Sequence, residues 1–222
     1  MSARRAVFLD RDGILDELVP DPVSGEPESP LRREDVRLIA GAPAAARRLA
    51  RAGFALACVS NQPAAAKGMA SVAQLLAVHA RVTELLDREG LRLAACRLCL
   101  HHPEGVVGDL AGECACRKPA PGMLLALAAE LDVDLAASWM IGDTDADVAA
   151  GRAAGCRTLL VEHPGSAHKR RGGECPDLVA ANLRDGVAAL LRIVAAESET
   201  ASASGPRRKR AERPQIDTPS DL

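Results

Sequence analysis

Aromatic residues are almost missing from the sequence: there is no tyrosine, and only two phenylalanines and one tryptophan are present. The core must therefore be aliphatic, and a surface that stacks the bases of single-stranded nucleic acid has little to be built from. Charge of one sign is missing too. The formal net charge is −2 over 222 residues, which argues against a protein made to coat nucleic acid. No apolar run is long enough to span a membrane. The first residues, Met1 to Arg5, lead straight into a strand rather than a signal-peptide core, so a cytoplasmic protein is expected. The seven cysteines are an odd count without a secretion signal, which disfavours a disulfide framework.

What remains is enough for one α/β domain with a sizeable core. Hydrophobic residues make up 48% of the chain, with alanine supplying much of that share. The stretch that organises the rest is Phe8-Leu9-Asp10-Arg11-Asp12-Gly13. A buried strand, Ala6 to Leu9, runs into two carboxylates one residue apart and then a glycine that permits a sharp turn. This arrangement can present one carboxylate as a nucleophile or metal ligand and the other as an acid or base.

The pattern repeats downstream. Ala42 to Ala52 reads as a helix, with Pro43 in its first turn and Gly53 beyond its end. Phe54 to Val59 reads as a strand that ends in Ser60-Asn61-Gln62, and Ser71 is placed to cap a helix reaching about Glu89. Further strands are expected over 95–100, 138–141 and 156–161, with a short edge strand at 178–180. Helices are expected over 122–131, from the 145 region to Ala154, and over 183–196. The four prolines within residues 17–35 predict a long loop, placed as a flap over the first motif. Cys58, Cys96 and Cys156 sit in or beside apolar runs and read as small buried hydrophobes.

Strands alternating with helices predict a Rossmann-like α/β fold, a parallel sheet with helices on both faces and no large cap domain. Such sheets bind ligands beyond the carboxyl ends of their strands. Asp10, Asp12, Ser60, Lys118 and Asp143 all fall at or just past such ends, or in the insert leaving one. Residues 1–196 are expected to form the domain. Residues 197–222, which contain the basic run Arg207 to Arg210, are expected to be a disordered tail.

With those residues assembled, the sequence resembles the haloacid dehalogenase superfamily of phosphatases. The resemblance rests on DRDG at 10–13, the hydroxyl in SNQ at 60–62, Lys118 in CRKP and GDTDAD at 142–147, and it covers about residues 3–195. It implies Asp10 as the nucleophile that becomes an aspartyl-phosphate, and Asp12 as the acid that protonates the leaving group and then activates water. It also implies Mg²⁺ on Asp10, the backbone carbonyl of Asp12 and Asp143, with Ser60, Asn61 and Lys118 around the transferring phosphoryl group. Asp147 is expected to orient Lys118 or a metal-bound water, and Asp145 to cap its helix.

The segment 99–116 offers three thiolates and one imidazole, Cys99, His101, Cys114 and Cys116, a set suited to a structural tetrahedral Zn²⁺. His102 is an adjacent alternative to His101, and the C-x-H spacing of the resembled family favours His101. The run CxHHPEG…CxCRKPxPGM resembles the D-glycero-D-manno-heptose 1,7-bisphosphate 7-phosphatase family, whose members act in making nucleotide-activated heptose. That implies a small phosphosugar substrate, no nucleic acid, no membrane and a monomer. Arg117, assisted by Lys67, would hold the phosphate that stays. The loop SNQPAAAKG departs from the family's usual TNQSGIxRG type. Histidinol-phosphate phosphatases share the zinc loop and are the alternative enzyme class; a phosphosugar-binding or scaffolding domain is the non-enzyme alternative.

Overall fold

The computed structural model describes residues 4–21 and 24–203. Eight strands and five α-helices are formed there: β1 (Arg5–Leu9), β2 (Val19–Pro20), β3 (Pro27–Glu28), α1 (Ala42–Arg51), β4 (Phe54–Asn61), α2 (Val72–Arg88), β5 (Ala95–Cys99), α3 (Gly122–Leu131), β6 (Trp139–Gly142), α4 (Asp145–Ala154), β7 (Arg157–Val161), β8 (Leu178–Ala180) and α5 (Leu183–Ala203). Six strands make one sheet in the order β5-β4-β1-β6-β7-β8, every pair parallel. The expected α/β architecture is the one observed.

β1 lies inside the sheet and is apolar on both faces, as a doubly covered parallel strand must be. Val7 and Leu9 pack with residues of α1, α2 and α5, while Ala6 and Phe8 pack with residues of α3 and α4. The single tryptophan, Trp139, fills the first of these cores, and Arg157 stacks on its ring. Strand order places the ends of β1, β4 and β6 side by side, and Asp10 N donates to Ile141 O at 2.9 Å just past the end of β1.

Helix ends follow their sequence signals. Ser71 and Gln74 form a reciprocal cap on α2, with Gln74 N donating to Ser71 Oγ at 3.1 Å and Ser71 N donating to Gln74 Oε1 at 2.8 Å. Gly155 ends α4 in the left-handed region at φ 86°. Asp145 is not the cap of α4. Thr144 holds that position and Asp147 reaches back to it, accepting from Thr144 N at 3.0 Å, while Asp145 Oδ2 accepts from Arg171 N and Gly172 N.

Two other expectations are corrected. The segment 17–35 is not wholly a loop, because β2 and β3 pair antiparallel within it, Val19 opposite Glu28 and Pro20 opposite Pro27. Prolines are tolerated there because a two-stranded ribbon is all edge. The boundary expected at 196 falls inside α5, which continues to Ala203. Glu197 is held by Arg157 through two contacts. Residues 204–222, with the basic run, lie outside the described residues. Among the described residues no helix is long and apolar enough to cross a membrane.

Candidate active site

Asp10 leaves β1 with its Oδ1 already engaged, accepting from Arg11 N at 2.7 Å and lying 2.9 Å from Lys118 Nζ. Lys118 is almost fully buried. Its ammonium donates to Val59 O at 2.8 Å and sits 2.6 Å from Asp147 Oδ1. The loop that carries Lys118 is pinned by Asn61, whose amide donates to Lys118 O at 2.9 Å and accepts from Lys118 N at 3.1 Å. Asn61 therefore positions the lysine with both ends of its amide.

Asp12 is gripped on both oxygens. Arg11 donates to Oδ1 through Nη2 at 2.8 Å and Nε at 3.2 Å, and Gln62 and Ser60 donate to Oδ2 at 2.6 and 3.2 Å. Burial alone would raise the Asp12 pKa, but the Arg11 guanidinium and the hydroxyls of Ser29 and Ser60 hold it below the ordinary carboxylate range. Arg11 is wholly buried and also faces the buried Asp16 at 3.8 Å. The Ser60 hydroxyl, expected at the phosphoryl group, thus donates to the Asp12 carboxylate in this structure.

Asp143 follows β6, and its carboxylate accepts from Ser166 Oγ. Gly13, at φ 80°, lies so close that a Cβ there would overlap the Asp143 carboxylate. Asp143 Oδ1 is buried without a hydrogen-bond partner among the described residues, and one ligand oxygen from each of Asp10, Asp143 and Asp147 lies within 4.8 Å of the others. Three carboxylates share one ammonium. Burial and then the Asp147 charge push Asp10 well above its usual range and Asp143 up to about 7. A hard divalent cation with oxygen preference fits this surplus of negative charge and this orphaned oxygen. The backbone carbonyl expected to join it is that of Asp12, the residue before Gly13, whose own Cα lies against the Asp143 carboxylate.

These groups open into a cavity of about 830 Å³. Asp10, Lys118 and Asp143 lie on its wall together with Lys67 and Arg117, and residues of the β2–β3 ribbon line another part of it. The ribbon is fastened to the 164–169 turn by Lys169 Nζ on Glu28 at 2.7 Å and by His168 facing Glu26 at 3.7 Å. Arg117 is steadied by donating to His101 O at 3.3 Å.

The second cluster stands next to that arginine. Ligand atoms of Cys99, His101, Cys114 and Cys116 lie within 4.8 Å of one another, with Cys116 Sγ 3.2 Å from both other sulfurs and 3.6 Å from His101 Nδ1. His102 turns away, its Nδ1 accepting from Glu104 N at 3.1 Å. Four soft donors converging without a disulfide suit a tetrahedral Zn²⁺. The loop also supports the cavity: Val106 N and Val107 N donate to Ala66 O, at 2.7 and 3.1 Å, in the turn that carries Lys67.

Comparison with known proteins decides the family. The chain is 36% identical over 180 residues to the D-glycero-beta-D-manno-heptose-1,7-bisphosphate 7-phosphatase of Yersinia pestis, covering 81% of this chain and 92% of that one. It is 42% identical over 163 residues to the D-glycero-D-manno-heptose-1,7-bisphosphate 7-phosphatase of Thermosynechococcus vestitus, covering 72% and 79%. The chain belongs to the heptose-1,7-bisphosphate 7-phosphatase family. The family model described as "HAD-hyrolase-like" matches residues 115–186. The crystal structure of D,D-heptose 1,7-bisphosphate phosphatase from B. bronchiseptica, complexed with magnesium and phosphate, superposes with a TM-score of 0.71 at 29% identity, over 85% of this chain and 99% of that one.

Within this phosphatase family fold, sequence reasoning missed three contributors. Gln62 ends the SNQ motif, where the sequence gives it no role, yet it makes the shortest contact to Asp12. Ser166 belongs to no motif and comes from a turn after β7. Arg11, the residue between two acids, is the third, held on Asp12. A signal existed for Arg11 alone: an arginine between two carboxylates directly after a buried strand has few places to go except onto one of them.

Proposed function

We propose that this chain is a Mg²⁺-dependent phosphatase that removes the C7 phosphate of D-glycero-D-manno-heptose 1,7-bisphosphate, in the supply of nucleotide-activated heptose. The observation that carries this reading is the pairing of Asp10 with Lys118 at the end of β1, in a cavity whose wall also carries Arg117 and Lys67. The Asp10–Lys118 pair serves the phosphate that leaves, and Arg117 and Lys67 serve the one that stays. The names of the relatives support the same substrate.

Asp10 Oδ1 is fixed by Arg11 N and Lys118, so Oδ2 is the atom offered for attack on phosphorus. An aspartyl-phosphate forms as the ester oxygen departs. Asp12 gives that oxygen a proton and then takes one from the water that hydrolyses the acyl phosphate. Arg11 keeps Asp12 ionised in the resting enzyme, the state suited to the second step. A phosphate dianion arriving beside it adds like charge and favours the protonated form needed for the first. Lys118 balances charge on the transferring group. Mg²⁺ held by Asp10, the Asp12 carbonyl and Asp143 would supply the positive charge that lets a phosphate dianion approach these carboxylates. Zn²⁺ on Cys99, His101, Cys114 and Cys116 would have no position open for substrate, and its contribution would be folding of the loop.

Initial rates on the heptose bisphosphate and on histidinol phosphate, with the released phosphate located by phosphorus NMR, test the assignment. The expected result is C7 release with the higher kcat/KM. Asp10→Asn should abolish turnover with the fold intact. Asp12→Asn should cost about 10²–10⁴-fold on the sugar phosphate; with an aryl phosphate, whose leaving group needs no proton, the loss should fall on hydrolysis of the aspartyl-phosphate and appear as a burst of aryl alcohol. Phosphate release by the Asp10 variant would sink the mechanism. Preference for histidinol phosphate would sink the substrate.

A further inference from the structure

Two thiols outside both sites face each other at the edge of the sheet. Cys58 of β4 and Cys96 of β5 are in-register partners in the parallel ladder. Strands in that relation run about 4.8 Å apart, within the roughly 4.4–6.8 Å between Cα atoms that a disulfide spans. Both side chains lie on the face covered by α2. Leu56, two residues before Cys58, shares its core with Val78, Val82 and Leu86 of that helix. The neighbours that act on the Cys96 thiol are Cys58 and, from α2, the ring of His79. Nδ1 of His79 is buried without a hydrogen-bond partner among the described residues.

The two sulfurs are not equivalent. Cys58 is fully buried, whereas Cys96 is only partly buried on β5, an end strand of the sheet. A small oxidant can therefore reach Cys96 first. The neighbouring Cys58 thiol, and then His79, hold the Cys96 thiol below its ordinary range against the effect of burial, while Cys96 and burial push Cys58 up. The more accessible partner, Cys96, is the nucleophile and the buried Cys58 the resolving thiol. Neither is a donor in the four-residue metal cluster, and neither lines the substrate cavity.

We propose that Cys58 and Cys96, served by His79, form a reversible dithiol–disulfide site that reacts with hydroperoxides. The Cys96 sulfur attacks one peroxide oxygen. The O–O bond breaks, Cys96 becomes a sulfenic acid, and the departing oxygen leaves as an alcohol or water after taking a proton. The Cys58 sulfur then displaces the hydroxyl, forming the S–S bond as the S–O bond breaks, and water leaves with the Cys58 proton. Two electrons pass from the dithiol to the hydroperoxide, and a thiol reductant returns them by exchange.

The test uses the full chain with its metals, reduced, treated with hydrogen peroxide, blocked with N-ethylmaleimide and mapped by mass spectrometry without reduction. Peptides carrying Cys58 and Cys96 should appear joined, and dithiothreitol should separate them. In Cys58→Ala the same treatment should leave Cys96 as a sulfenic acid captured by dimedone. His79→Asn, a change on a half-exposed helix position, should slow the linkage several-fold with an unchanged melting temperature. The wild-type map and the His79 variant keep the test decisive if the buried Cys58 variant folds poorly. Cys96 still free when the exposed Cys175 is oxidised, or Cys96 as sulfinic acid beside a free Cys58 in the wild type, overturns the proposal. An unchanged rate in the His79 variant removes His79 from the site.

Discussion

Asp147 Oδ1 lies 2.6 Å from the Lys118 ammonium, while its Oδ2 accepts from the backbone and hydroxyl of Thr144 at the start of α4. One carboxylate thus ties Lys118 to the helix capped by Thr144, the residue after Asp143. Asp147→Asn keeps a group able to accept from Thr144 but removes the charge on Lys118. Activity should fall about 10–100-fold, as is usual when the partner of a ligand-positioning group is lost, and mostly in kcat. A variant with wild-type kcat would show that Asp10 alone orients Lys118.

The charge surplus predicts a pH dependence of the metal-free protein. Asp143 has a folded-state pKa of about 7, above the ordinary value of 3.8. Its contribution to stability is therefore fully present below about pH 4 and is lost as pH rises through about 7. Asp10 is shifted in the same direction. Asp12 is shifted the other way, so its contribution is present above the ordinary carboxylate range and is lost as pH falls below it. A divalent cation offsets the penalty only where Asp10 and Asp143 are ionised. The rise in melting temperature on adding Mg²⁺ to chelator-treated protein should be larger at pH 8 than at pH 5. Equal rises at both values would mean that these carboxylates do not hold the metal.

Where the sequence was legible, the reason is periodicity and position. Runs such as Ala6–Leu9 and Trp139–Ile141 can only be covered strands, and the polar residues after them must meet at one edge of a parallel sheet. That logic reaches Asp10, Lys118 and Asp143 without coordinates. It does not reach Ser166 or Gln62, because a neutral hydroxyl or amide carries no pattern until the strand beside it is known. It also missed the ribbon at 19–28, since two residues per strand are too short for any alternation to register. Cys96 read as a small hydrophobe for a related cause. Its partner Cys58 lies 38 positions earlier in sequence and becomes a neighbour only through strand register.

Zinc removal should be felt in the substrate cavity. The 99–116 loop donates from Val106 N and Val107 N to Ala66 O, next to Lys67, and its His101 carbonyl accepts from Arg117. Cys114→Ser should lower zinc from about one per chain, lower the melting temperature, and raise KM more than it lowers kcat, since Asp10 and Asp143 are not attached to that loop. Freshly purified protein with no zinc and an unchanged KM would refute a structural metal here.

In the proposed reaction Arg117 would decide between substrates. Its neighbour Lys118 is committed inward to Asp10 and Asp147, whereas Arg117 stays on the cavity wall with one guanidinium nitrogen on His101 O and the rest of its planar fork available. A charge-assisted contact to a retained phosphate contributes about 1.5–3 kcal/mol, and one made equally in ground and transition states appears in KM. Arg117→Ala should therefore raise KM for the heptose bisphosphate roughly 10–100-fold and leave kcat and the KM of a sugar monophosphate nearly unchanged. Lys67→Ala should act in the same direction with a smaller effect, since its exposed side chain gives up more of its interaction to solvent. Histidinol phosphate has no second phosphate and carries an ammonium, so removing Arg117 should help it if it changes at all. If Arg117→Ala affects the bisphosphate and monophosphate alike, the arginine serves the transferring group, and specificity for a bisphosphate must come from elsewhere in the cavity.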